Sequence, residues 1–194
     1  MIQTTKLETI GALLRTLDLH SPGEEEHAQR VAVYSVSVAE RFSFNDAELK
    51  DICYAALLHD IGKIEVDRDL LVRLGSVSQE ELEKLRQHAA CGERILQSLT
   101  WLAGALPMVR HHHERWDGKG YPERLSDVGI PLGARIIGVA EAFDMVTFGS
   151  AWREPSGRDA GRTMLAEQAG TQFDPEVVRV FLEVEPLVQP VGLP

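Results

Sequence analysis

No apolar run in the sequence reaches the roughly 18 residues that a bilayer-crossing helix needs, so no membrane-spanning segment is expected. Cysteine is scarce. Cys53 and Cys91 lie far apart without CxxC spacing, which excludes a disulfide framework and a cysteine-based metal site; two buried, reduced thiols are the expectation. Positive charge is also short, with 20 Lys and Arg against 30 Asp and Glu and a net charge of −10, which argues against broad capture of duplex nucleic acid. An acidic chain acting on a phosphate ester therefore needs cations at its centre. The first segment, MIQTTKLETIGALLRTLDLH, lacks the basic start, apolar stretch and small-residue cleavage site of a secretory signal. A cytoplasmic location follows as an expectation.

Sustained alternation of apolar and polar residues is missing too, so strands are not expected. Helical spacing is present almost everywhere. His27, Val31, Tyr34, Val38 and Phe42 recur at steps of three and four, and Glu24, Glu25 and Glu26 complement the dipole at the start of that helix. Asn45 and Asp46 open a second helix, whose apolar face leads into His59-Asp60. Ser78-Gln79-Glu80-Glu81 has capping-box form and opens a third, expected to run past His88 to Leu96 with a mild break at Gly92. Trp101 to Glu114 reads as a helix kinked or split near Pro107. Trp116 to Pro122 reads as a loop, Pro131 to Phe148 as a long apolar helix, and two short helices follow near 159–168 and 175–184. At 194 residues, the expectation is one all-α domain, a compact bundle of about seven to eight helices. Residues 1–22 are expected to form an N-terminal helix packed on the core, and 23–194 the functional domain.

The seven histidines carry the chemical signal. His59-Asp60 offers one nitrogen and one oxygen ligand at the end of a buried helix, suited to Zn, Mn or Fe, and the carboxylate can bridge two ions. Taken alone, the pair also fits a histidine facing a helix C-terminus. His27 and His88 lie on apolar faces, where a lone histidine is more often a hydrogen-bonded core residue. His111-His112-His113 is a surface triplet by default, and three adjacent side chains cannot all point one way. One metal site accounts for all of these at once. Glu141 and Asp144 share a face of an otherwise apolar helix, so at least one should meet a metal or a cation. For Asp144, an arginine such as Arg135 or Arg153 is the alternative partner.

The segments HAQRVA (27–32), ALLHDIGK (56–63), the run from His88 to Leu96, HHERWDGKGYP (112–122), IPLGARIIGVAEAFD (130–144) and GTQFDPEVV (170–178) resemble, in order, the HD-GYP domain. This is the branch of the HD phosphohydrolases that hydrolyses cyclic di-GMP. The resemblance implies metal ligands at His27, His59, Asp60, His88, His112, His113 and Glu141, with Asp60 as the bridge between two divalent ions. Fe or Mn is expected first, with Zn, Co or Ni as alternatives. It implies catalytic roles for Asp60 and Lys63, with Lys63 near the scissile phosphate. Gly120, Tyr121, Pro122 and Arg153 are implied as substrate contacts. A metal-bridged hydroxide would attack phosphorus and give the linear dinucleotide, or GMP after a second cleavage.

The sequence departs from the family pattern in three places. Glu141 replaces the family's last aspartate ligand. Ser150 stands where the family has a phosphate-contacting arginine, while Arg153 keeps the second basic position. Gly23 replaces the glutamate of three-metal members, with Glu24 beside it, so two ions are expected. Alternatives are a catalytically weak module that binds a cyclic dinucleotide or docks a protein partner through the GYP loop, and a hydrolase for another cyclic dinucleotide or a nucleotide phosphomonoester.

Overall fold

The computed structural model describes residues 2–72, 77–149 and 154–188, and among these residues the fold is all-α, with no strand. Helices α1 (Ile2–His20), α2 (Glu24–Ala39) and α3 (Asp46–Leu58) come first, followed by a 3-10 segment, Ile61–Glu65, and the short α4 (Arg68–Val72). Then come α5 (Gln79–Arg86), α6 (His88–Leu96), α7 (Leu106–His111), α8 (Leu132–Phe148), α9 (Arg158–Gln168) and α10 (Pro175–Val184).

Local chemistry explains where the helices start. Gly23 precedes α2 with φ of 96°, a left-handed conformation that glycine adopts without a Cβ penalty. Asn45 caps α3: its side-chain oxygen accepts the N–H groups of Ala47 (2.9 Å) and Glu48 (3.1 Å), while the Glu48 carboxylate accepts the Asn45 N–H (2.8 Å). Asn45→Ala removes the side-chain half of this box and is expected to cost about 1 kcal/mol. A lower urea midpoint with an unchanged slope is the expected readout; no shift would mean the cap carries no stability.

Two helix boundaries differ from the sequence expectation. The helix opened by Ser78 ends at Arg86, and the break falls at Gln87 rather than Gly92. The Gln87 N–H turns back to the Lys84 carbonyl at 3.2 Å, a tightened last turn, and α6 restarts at His88. Gly92 continues α6 and lets it approach Gly62 closely. The expected helix from Trp101 to Glu114 is split, as a 3-10 turn at Thr100–Leu102 and then α7. Pro107 sits in the first turn of α7, where its missing N–H removes no hydrogen bond, so it starts that helix instead of kinking it. Cys91 is buried as expected, but Cys53 is only half-buried.

The core forms around α8, whose Ile136, Ile137, Val139, Ala140 and Phe143 are inaccessible to solvent. Phe143 meets Tyr34 of α2 edge-on at 5.4 Å and Phe181 of α10 at 5.0 Å, tying three helices at one point. Ile10, Leu14 and Leu17 of α1 are buried in the same core. A smaller cluster of Val66, Leu70 and Leu71 packs with Val77 and Leu85 beside α4 and α5. These elements leave the C-terminal end of α3, the N-terminal end of α6, the end of α7 and the middle of α8 facing one another.

Candidate metal centre

His59 closes α3 with helical dihedrals and Asp60 follows it into the 3-10 segment, so both side chains leave the end of a buried helix. His27 comes from α2, His88 from the first residue of α6, His112 and His113 from the residues after α7, and Glu141 from α8. Their donor atoms form two groups, Asp60 with His88, His112 and His113, and Asp60 with His27, His59 and Glu141. Within each group the donor atoms lie within 4.8 Å of one another. Asp60 belongs to both. His88 Nε2 is 3.2 Å from Asp60 Oδ1, and His59 Nε2 is 3.2 Å from Asp60 Oδ2, so the two oxygens face opposite groups.

The rings are aimed by their other nitrogens. His59, His88 and His112 each place Nδ1 against the backbone carbonyl three residues earlier, at Ala56 (2.7 Å), Leu85 (2.6 Å) and Val109 (2.7 Å). A carbonyl only accepts, so Nδ1 donates in all three and Nε2 is directed at the centre, with a free lone pair wherever the ring is neutral. His88 Nε2 lies 3.3 Å from His112 Nε2 and 3.1 Å from His113 Nε2, nitrogens that a cation between them would satisfy together. His59 Nε2 and both oxygens of Asp60 are buried without a hydrogen bond of acceptable geometry. Buried orphans of this kind are costly, and a divalent ion with mixed imidazole and carboxylate ligands fits them.

The electrostatics divide the two groups: they favour ligation at His88, His112 and His113, while an ion must displace protons at His59 and Glu141. Burial holds His88 below its ordinary pKa; burial and neighbouring imidazoles hold His112 and His113 well below theirs, so all three are neutral and free to coordinate. Burial also acts to lower His59, but the adjacent Asp60 outweighs it and raises the imidazole to about 9. Asp60 itself is lowered well below the carboxylate range, because Lys63 and His59 outweigh its burial. Burial raises Glu141 to about 7, against the pull of His59.

Other candidate residues take definite places. Lys63 Nζ contacts Asp60 Oδ2 at 2.6 Å and the Glu24 carboxylate at 2.9 and 3.1 Å, so Glu24 is engaged by the lysine. Tyr121 lies against the His113 ring at 4.8 Å, and the Arg86 guanidinium sits over the Tyr121 ring at 5.5 Å. Gly120 is required there, since a Cβ would meet the Arg115 nitrogen at 2.4 Å and the Glu114 Cα at 2.5 Å. The Tyr121–Pro122 peptide bond is cis. His111 turns away and pairs with Glu123 at 3.2 Å. Asp144 does not pair with Arg135, which binds Asp174 at 2.6 Å; its partners are His27 and Arg30, three residues after His27. The clue available in sequence was that His27 and Arg30 share a helical face. Ser150 and Arg153 lie outside the described residues. Beside His113 and Glu141 a cavity of about 120 Å³ runs along α8 toward Trp116, Gln172 and Phe173.

The model of the family described as HD domain matches residues 12–177. The chain is 33% identical over 184 residues to the cyclic di-GMP phosphodiesterase response regulator RpfG of Xanthomonas campestris, covering 93% of this chain and 48% of that protein. It is 34% identical over 167 residues to the 3'3'-cGAMP-specific phosphodiesterase 3 of Vibrio cholerae, covering 86% of this chain and 36% of that one. Among solved structures, a cyclic GMP-AMP specific phosphodiesterase of V. cholerae superposes with a TM-score of 0.69 at 20% identity, over 92% of this chain and 48% of that one. The chain spans about half, or less, of the curated relatives it matches.

Proposed function

The chain belongs to the HD domain family, and from that premise we propose that it is a metal-dependent phosphodiesterase hydrolysing cyclic di-GMP to the linear dinucleotide, and to GMP after a second cleavage. The observation that carries this reading is the sharing of Asp60 by two groups of inward-facing candidate ligands, with His59 Nε2 and both Asp60 oxygens buried and without a well-formed hydrogen bond.

Two divalent ions, Fe or Mn before Zn, Co or Ni, would be held here, one by each group, with Asp60 contributing to both. Such ions supply Lewis acidity toward phosphoryl oxygens and acidify water. The chain's own residues set the rest. Burial keeps His88, His112 and His113 unprotonated, so no proton competes with the ion there. Lys63, about one-fifth exposed between Glu24 and Asp60, keeps a positive charge at the mouth of the site. There it stabilises charge developing on the phosphate. Tyr121 rests on His113 at the opening of the site, and the cavity along α8 offers the adjoining nucleotide a place. Lys119 in the same loop is exposed, which leaves that rim for a protein partner. A cytoplasmic location belongs to the same proposal; no helix among the described residues is long and apolar enough to cross a membrane.

One observation favours a second substrate: the relative at 34% identity is named for 3'3'-cGAMP. The test is incubation of the protein, reconstituted separately with Mn and Fe(II), with each dinucleotide in parallel, products being separated by chromatography. Turnover of cyclic di-GMP that disappears after chelation is the expected result. Faster turnover of 3'3'-cGAMP would reassign the substrate. No product from either dinucleotide at confirmed two-ion loading would leave a binding module.

A further inference from the structure

The histidines at this centre are not aimed by the same means. His59, His88 and His112 are held through Nδ1 by main-chain carbonyls of their own helical turns, which no side-chain replacement removes. His27 is held by a side chain. Its Nδ1 lies 2.7 Å from Asp144 Oδ2, and a carboxylate only accepts, so Nδ1 donates and Nε2 is directed toward Asp60, 3.9 Å away. Asp144 is fully buried, and Arg30 grips it with two prongs, Nε to Oδ1 at 2.7 Å and Nη2 to Oδ2 at 3.0 Å. The guanidinium is seated over the Phe148 ring at 4.4 Å. The charge of this carboxylate is thus balanced by a cation, and its geometry is fixed before any ligand arrives.

Resting on the metal-centre reading above, we propose that Asp144, fixed by Arg30, is a positioning residue that governs occupancy of only one of the two metal positions. That position is the one formed by His27, His59, Asp60 and Glu141. A carboxylate hydrogen-bonded to a ligating imidazole fixes its tautomer and raises its basicity, and loss of such a partner weakens metal binding by about 10–100-fold. The other position, Asp60 with His88, His112 and His113, shares only Asp60 with the first, and the hydrogen bonds described for Asp144 go to His27 and Arg30 and not to His88, His112 or His113. The two positions should therefore fill in distinct steps. Asp144 also lies on α8 one turn from Glu141, so this helix supplies both a ligand and the residue that aims a second ligand.

The test is Mn(II) titration of the metal-free protein by calorimetry, with metal content measured after desalting. Imidazole ¹⁵N spectra of the metal-free protein report the His27 tautomer. The parent is expected to bind two ions in two resolved steps, with His27 protonated on Nδ1. Asp144→Asn is expected to weaken one step by about 10–100-fold, leave the other unchanged, retain about one ion after desalting and mix the His27 tautomers. Arg30→Lys keeps a cation without the two-pronged grip; it should move the same step by less, and it carries the test should Asp144→Asn fail to fold. Weakening of both steps together, no change in either, a single class of site in the parent, or an unaltered His27 tautomer would each overturn the proposal. Activity enters none of these readouts, so they stand apart from the identity of the substrate.

Discussion

Asp60→Ala is expected to abolish phosphodiester hydrolysis, lowering turnover by about 10³-fold or more, and to leave the protein unable to retain a pair of ions. The basis is positional. Asp60 is the one residue common to both ligand groups, and its two oxygens face His88 on one side and His59 on the other. Losing several kcal/mol of transition-state stabilisation corresponds to about three orders of magnitude, at roughly 1.4 kcal/mol per tenfold. The fold should survive, because Lys63 keeps its ion pair with Glu24 and is not stranded without a counter-charge. Asp60→Asn separates charge from shape: it preserves volume but presents one amide oxygen, and should also lose the pair. Metal analysis, turnover and thermal unfolding on the same samples make the comparison. A variant that keeps two ions and turns over within tenfold of the parent would remove Asp60 from the centre.

Gly62→Ala is expected to damage both stability and the site, although a methyl group is the whole change. An added Cβ would lie 1.9 Å from the His88 carbonyl oxygen, 2.8 Å from the His88 carbonyl carbon and 2.6 Å from the Gly92 nitrogen. These are main-chain atoms of α6, so no flexible side chain can swing aside. The 3-10 segment at Ile61–Glu65 and α6 must separate, and that separation carries Asp60 and His88 apart. Overpacking usually costs about 1–3 kcal/mol, and a clash against α6 backbone at both His88 and Gly92 belongs at or above the top of that range. A fall in urea midpoint together with weaker binding at the position that includes His88 is the expected pair of results. A stable variant with normal metal binding would mean that the contact between these two segments is looser than described.

The two substitutions also show what each level of description contributes. Asp60 is conspicuous in sequence, as a carboxylate beside a histidine at the end of an apolar helix. Gly62 is not, since a glycine after His-Asp-Ile says nothing of α6 lying against it.

The amino-acid order by itself determined the all-α class, because helical spacing and local caps at Asn45 and Ser78 act within a few residues of chain. It also determined the candidate ligand types, since short motifs around His59, His88 and His112 carry imidazole and carboxylate donors in their own side chains. The family resemblance had already picked His112 and His113 over His111; the tertiary structure supplies the physical reason, because each successive side chain is rotated about 100° around a helix and the packing of α7 turns His111 to Glu123 instead. Only the tertiary structure decided that Asp144 meets Arg30 and Lys63 meets Glu24, pairings that depend on contacts between residues 114 and 39 positions apart. Charge alone leaves those pairings open, because any of several arginines or carboxylates would serve until the helices dock. The break at Gln87 belongs to the same class: the local sequence favours continued helix, and the turn there brings His88 to the centre.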